Sequence, residues 1–291
     1  MTTLSVTVIT KNESENIGKC LESVKWADEI IVLDSGSLDN TVEICRQYTD
    51  KVVITDWQGF GIQKNRAIDM ATSEWILSID ADELVSMELK QEIEEVIRKS
   101  DNQKKSSNKS NDNQLAYKIP RSSNYCGRFM KHSGWSPDYV VRLFRRGYAR
   151  FSDDLVHESL IVQDDELRGS GLKKDGESRE DGKPLEFRER KADDHLIGRL
   201  TNSLTHNSFK DLDKVLEKVN AYSSASAKML YQRGKKASIT DAVLHGLWSF
   251  FYTYILRAGF LDGKEGFMLA ISSAEVTYYK YAKLMLLINK K

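Results

Sequence analysis

Asp80, Asp82 and Glu83 put three carboxylates within four positions, directly after the apolar run Trp75-Ile-Leu-Ser-Ile79. Alternate residues at a strand end aim two carboxylates at one point, an arrangement suited to a hard cation that takes oxygen ligands. Phosphates would complete its shell. Without a cation or strong donors, neighbouring carboxylates repel and resist ionisation. An acidic surface turn would show the same triplet, so the company it keeps matters. Just ahead of it, Gln63-Lys64-Asn65-Arg66 opens an expected helix and places two cations where they could meet a diphosphate. A solvated helix face is the alternative. Asp34-Ser-Gly-Ser-Leu-Asp-Asn-Thr41 closes another apolar run. It is either a plain strand-to-helix turn capped by Asp39 or Asn40, or it offers Asp34 as acceptor for a base or ribose group. Further on, Asp153-Asp154-Leu-Val-His157-Glu158 carries groups able to take a proton from an attacking hydroxyl. His157 could instead ligate the metal or serve a structural role. Trp135, Arg142 and Arg145 either shape an acceptor pocket or pack and solvate.

These residues need elements to hold them. Val/Ile/Leu-rich runs at residues 5–10, 29–34, 51–56 and 75–80 alternate with segments of helical apolar spacing. That pattern predicts βαβ units and an α/β fold with a mostly parallel sheet. In open α/β sheets ligands gather beyond the carboxyl ends of the strands, so the acids at 80–83 are expected at the rim, outside the core. A helix is expected over 87–99. Residues 100–114 and 164–194 read as solvated polar loops. Strands are expected at 115–120, 139–145 and 155–162, and helix from Leu196 to the end. The chain thus divides into an α/β domain over 1–195, with a first half at 1–99 and a strand-bearing segment at 115–163, and a helical region over 196–291.

At 291 residues and 40% hydrophobic, the chain can bury a proper core. Lys+Arg and Asp+Glu are both 43, which leaves no overall field to attract nucleic acid. The balance hides an asymmetry: residues 196–291 hold 14 Lys/Arg against 7 Asp/Glu, a net +7 there and −7 before. Residues 244–260 (LHGLWSFFYTYILRAGF) carry an aromatic-rich helical stripe. Core packing is one reading, and an interfacial helix on an anionic leaflet is the other. Cys20, Cys45 and Cys126 follow no metal-ligand spacing, so they are expected to be reduced thiols without chemistry in a cytosolic compartment. No signal-like N-terminus and no run of eighteen apolar residues is seen, which predicts a cytoplasmic protein, at most peripheral to a membrane.

Taken in order and spacing, VTVITKNESENIGKCLESV, VLDSGSLDNT, QKNRA and SIDADE resemble the nucleotide-binding half of a family 2 glycosyltransferase of GT-A fold, over roughly the first 85 residues. The later VRLFRRGYARF, DDLVHESL, WSFFYTYILRAGFLDGKEGF and YYKYAKL resemble a narrower subgroup, the bacterial lipopolysaccharide inner-core β-1,4-glucosyltransferases. The resemblance implies that Thr10, Glu13 and Asp34 hold uridine and that Arg66 with Lys64 approaches the diphosphate. It implies that Asp80 and Asp82 address ribose and metal, Asp82 as the direct ligand, with Mg²⁺ or Mn²⁺ as cofactor. Inverting transfer then needs a carboxylate base, Glu158 first and Asp154 behind it. The implied reaction moves a hexose, glucose by subgroup, from a UDP-sugar to a lipid-linked lipopolysaccharide core at the cytoplasmic face of the inner membrane. A cation there offsets charge growing on the departing diphosphate. Two alternatives stay open: a protein or other polysaccharide as acceptor, and a non-catalytic sugar-nucleotide-binding module.

Overall fold

β1 (Leu4–Thr10) and β2 (Glu29–Asp34) are buried at every residue, the Ser and Thr side chains of β1 included, as strands covered on both faces are. A computed structural model describes residues 2–105, 114–152, 160–162 and 196–289. After β2 come β3 (Val52–Ile54), β4 (Trp75–Asp80) and β5 (Glu83–Val85), with α1 (Ile17–Val24), α2 (Thr41–Cys45) and α3 (Phe60–Asp69) in the crossovers before β4. Then follow α4 (Met87–Lys105), β6 (Ala116–Tyr125), β7 (Arg128–Phe129), β8 (Asp138–Arg145), β9 (Ala149–Phe151), β10 (Leu160–Val162), β11 (Ile197–Arg199) and β12 (Leu204–Phe209). The helices α5 (Leu212–Gln232), α6 (Ile239–Phe251) and α7 (Gly263–Asn289) complete the chain. Two units emerge: Met1–Ala81 with Val85–Ile119 and Val140–Asn202, and Asp82–Leu84 with Pro120–Tyr139 and Ser203–Lys291.

In the first unit β3-β2-β1-β4 run parallel, with Thr10 opposite Asp34 and Ile9 opposite Asp80. β8 then joins β4 antiparallel, Trp75 facing Arg145, so the sheet is mixed. Ile31, Ile68, Ile76, Phe144 and Phe151 are among the residues that fill its core. Arg145 lies over the Trp75 ring at 5.4 Å and donates to the Ser100 hydroxyl, so it packs here. Cys20 and Cys45 are free and buried, and burial with the nearby Asp34 charge pushes the Cys45 thiol up to about 12.

Glu29 is the one acid at the start of β2, and its carboxylate accepts from the Ser5 hydroxyl, the Lys51 ammonium and both the amide and hydroxyl of Thr72 at 2.9 and 3.0 Å. Burial alone would raise its pKa. The bonds from Lys51, Ser5 and Thr72 outweigh burial and hold it at about 2. A depressed carboxyl stabilises the fold fully above its unfolded value near 4.5 and loses that contribution as pH falls toward 2. The stake is on the order of 2–3 kcal/mol. Urea midpoints should therefore drop between pH 5 and about 2.5 in the native chain. Glu29→Gln should be weaker at neutral pH and show a smaller drop.

The second unit has its own core of Tyr125, Met130, Val215, Val219 and Leu269. Trp135 packs here too, edge-on to Tyr125 at 5.8 Å and 5.8 Å from Phe209. The later half of β6 pairs parallel with β12, Ser123 opposite His206, and antiparallel with β7. Residues 197–209 therefore hold two strands where helix was expected. Both are short and make their hydrogen bonds to β6, some eighty residues earlier in the chain, so tertiary pairing overrides the local pattern. The helix expected to stop at residue 99 runs to Lys105, since Ser-Asp-Asn-Gln-Lys-Lys contains no Gly or Pro to end it.

The stripe at 244–260 is not one helix. α6 ends at Phe251, a π-helical turn covers Tyr252–Leu256, Ala258 is left-handed with φ 53°, and a 3₁₀ turn covers Gly259–Asp262. The fold-back needs small residues: a Cβ on Gly266 would stand 1.9 Å from the Gly259 carbonyl. Buried Asp262 fixes the facing loop, accepting from the Lys131 and His132 amides at 3.1 and 2.9 Å.

Candidate active site

Within the first unit, the loops after β1 and β2 are laced together. The Asn12 amide donates to Ser37 Oγ at 2.8 Å, the Leu38 amide to Asn12 Oδ1 at 2.8 Å, and the Glu13 amide to Thr41 Oγ1 at 2.8 Å. Asp34, fully buried, accepts from the Gly36 and Ser37 amides at 2.9 and 2.8 Å and from the Ser37 hydroxyl. Its carboxylate thus builds the turn, which Gly36 completes at φ 79°. Glu13 Oε2 accepts from Asn16 Nδ2 at 2.8 Å. Thr10 ends β1 with a buried hydroxyl that has no hydrogen-bond partner among the described residues.

Asp80 ends β4 between two cations. Lys64 Nζ lies 3.0 Å from its Oδ1, and Arg142 Nη2 donates to its Oδ2. Lys64 and Arg142 are 3% and 4% exposed, so both charges are committed inside the unit. Burial pushes the Asp80 carboxyl up, but the charges of Arg142 and Lys64 outweigh it and hold the group well below the usual carboxylate range. Arg142 is the partner that strand spacing alone did not reveal. The signal was an arginine inside the apolar run Val-Val-Arg-Leu-Phe, where a buried guanidinium requires a carboxylate. Lys64 also sits over the Phe151 ring at 5.1 Å. Arg66 contacts Asp56 Oδ1 and Gln63 Oε1, both at 2.9 Å. Neither cation opens the helix as expected. α3 starts at Phe60, after Gly59 at φ 118°, which moves Lys64 and Arg66 into its second turn.

The second unit holds Asp82 and Glu83. Glu83 is fully buried, with Arg121 Nη1 at 3.6 Å, and Arg121 also binds Asp138 at 2.6 Å. The rim expectation is corrected for this acid: strand alternation turns it inward, and an arginine compensates its charge. Asp82 has the other orientation. Its Oδ2 lies 3.5 Å from His206 Nε2, both side chains are 16% exposed, and its carbonyl accepts from the Asn207 amide at 3.0 Å. His206 Nδ1 is within 3.0 Å of Ser123 Oγ and 2.8 Å of Ser208 Oγ, which orients the ring. A carboxylate oxygen and an imidazole nitrogen at this spacing suit a shared divalent cation. Two protein ligands leave room for phosphate oxygens. Among the described residues no group of three or more His, Cys, Asp or Glu forms a metal cluster. His206 went unnoticed in the sequence, because Leu-Thr-His-Asn-Ser-Phe carries no spacing that links it to Asp82. Asp154, His157 and Glu158 lie outside the described residues.

The model of Glycosyl transferase family 2 matches residues 5–146. An uncharacterized glycosyltransferase of Rickettsia typhi is 32% identical over 98% of this chain and 87% of its own length. The chain belongs to glycosyl transferase family 2. The lipopolysaccharide core biosynthesis glycosyltransferase LpsC of Rhizobium meliloti is 25% identical to this glycosyltransferase, over 97% of this chain and 91% of that one. Among solved structures, S. aureus TarS 1–349 in complex with UDP-GlcNAc matches with 14% identity and a TM-score of 0.44, over 99% of this chain and 92% of that one. No described helix of the glycosyltransferase is long and apolar enough to cross a membrane.

Proposed function

We propose that this glycosyltransferase moves a hexose, glucose by its resemblance, from a UDP-sugar to a lipopolysaccharide inner-core saccharide with inversion at the anomeric carbon. The observation that carries the reading is the Asp82–His206 pair, two residues past an Asp80 already neutralised by Lys64 and Arg142. Asp82 with His206 would hold Mg²⁺ or Mn²⁺, which supplies positive charge against the diphosphate. Thr10, Glu13 and Asp34 are assigned to the uridine, the first through its unpartnered hydroxyl and Asp34 through the loop it builds. Lys64 acts by holding Asp80, and Arg66 is assigned to the diphosphate side. In the reaction an acceptor hydroxyl oxygen bonds to the anomeric carbon as the bond to the diphosphate breaks. UDP departs, and the hydroxyl proton passes to a carboxylate, for which Glu158 is the first assignment and Asp154 the second.

The name of the LpsC relative supports the acceptor class. The test is mass spectrometry of purified core saccharides lacking outer sugars, incubated with a panel of UDP-hexoses and with peptides as competing acceptors. One added hexose on the core, dependent on divalent cation, supports the reading. Labelling of peptide or of another polysaccharide instead, or donor binding with neither transfer nor hydrolysis, sinks it.

A further inference from the structure

α6 is turned inside out. Its buried residues are small: Ala242 and Gly246 are buried, Ser249 donates to the Ser273 carbonyl at 3.1 Å, and Thr253 is buried where the helix continues into the π-turn. Gly246 lies so close to α7 that a Cβ there would stand 3.3 Å from Tyr278 Cβ and 3.4 Å from the Ala274 carbonyl. The large apolar side chains face away. Leu244 is 60% exposed, Leu247 63%, Trp248 59%, Phe251 44% and Ile255 45%. A helix folded for water buries such residues and exposes the polar ones. Small residues between helices with large apolar residues outside is the arrangement favoured where the surrounding medium is itself apolar.

Charge narrows the medium. From Ala242 to Leu256 there is no Asp, Glu, Lys or Arg. Bases stand at both ends: Arg233, Lys235 and Lys236 are exposed before the helix, Arg257 follows it, and Lys264 is 86% exposed. Residues 203–291, all in this unit, hold 13 Lys/Arg against 7 Asp/Glu, a net +6. We propose that the outer face of α6 seats the enzyme on an anionic bilayer, the apolar side chains entering the headgroup boundary and the flanking bases meeting lipid phosphates. At thirteen residues, α6 is about 20 Å long, too short to cross, so it lies in the plane of the surface. The inference rests on this unit alone and is independent of the donor and metal assignments.

Vesicle flotation of the full chain tests it. The chain should float with vesicles of equal parts phosphatidylglycerol and phosphatidylcholine at low salt, and less with phosphatidylcholine alone. Leu247→Glu with Phe251→Glu should cut the bound fraction about tenfold or more, with UDP binding by calorimetry unchanged. Lys235→Glu with Lys236→Glu, on an exposed turn, should weaken binding to the anionic vesicles only, which keeps the test decisive if the first variant fails to fold. Absence of flotation with anionic vesicles overturns the inference. So does a native dimer, seen by light scattering, that Leu247→Glu with Phe251→Glu separates, since that face would then hold a second copy. Loss of UDP binding in the native chain would count against the proposed donor and leave this inference standing.

Discussion

Asp82→Ala is expected to cut sugar transfer about 10³-fold or more while the chain stays folded. Charge neutralisation of a departing diphosphate by a bound cation is worth several kcal/mol of the barrier, and each 1.36 kcal/mol is tenfold in rate. Structurally the residue is replaceable. Its side chain sits in the turn between β4 and β5, 16% exposed, and the bond from the Asn207 amide goes to its carbonyl, which alanine keeps. His206 retains its contacts with Ser123 and Ser208 in the variant. The melting temperature should therefore move by only a few degrees, in line with about 1 kcal/mol or less. Initial rates with the accepted UDP-sugar give the first readout, and calorimetric titration with Mn²⁺ in the presence of UDP gives the second. Both must fall together. Undiminished turnover with intact cation binding would remove Asp82 from the site.

The first part of the sheet was readable because its strands carry their own signal. β2 and β4 fall on the expected residues, since Glu-Ile-Ile-Val-Leu-Asp and Trp-Ile-Leu-Ser-Ile-Asp are aliphatic runs buried nearly throughout. β5, β11 and β12 were not readable. Three to six residues long, they owe their existence to hydrogen bonds with partners far along the chain. The same contrast runs through the site. That Asp80 and Asp82 are candidates follows from two carboxylates with one residue between them. That they differ does not, because Arg142 lies 62 residues and His206 over a hundred residues away. Spacing along a strand fixes which side a carboxylate leaves from, and only the assembled sheet fixes which cation it meets. Residues 244–260 mislead for a related reason: periodicity finds the stripe, yet it cannot say which face the neighbouring helix covers.

The second large effect separates the two aspartates. Asp80→Ala should destabilise the fold by about 3–5 kcal/mol, the range expected when one partner of a buried ion pair is removed. Lys64 and Arg142, both nearly buried, would lose the carboxylate that each contacts directly, and side chains held inside β8 and α3 cannot swing out to water. Asp80→Asn keeps the shape and still removes the charge, so it should cost most of the same amount. Adding Lys64→Met to Asp80→Asn should recover part of the loss, because an apolar side chain of similar length asks for no counter-charge. The native pair should also survive mild acid: with the folded pKa depressed, its contribution is complete above the unfolded carboxylate value near ~4 and fades only below it. Urea unfolding of the three variants at neutral pH measures this directly. A loss under about 1 kcal/mol in Asp80→Ala would show that the cluster is not a structural clamp. If transfer then vanished with the fold intact, Asp80 would act on the donor itself, and its cations would serve only to hold its charge.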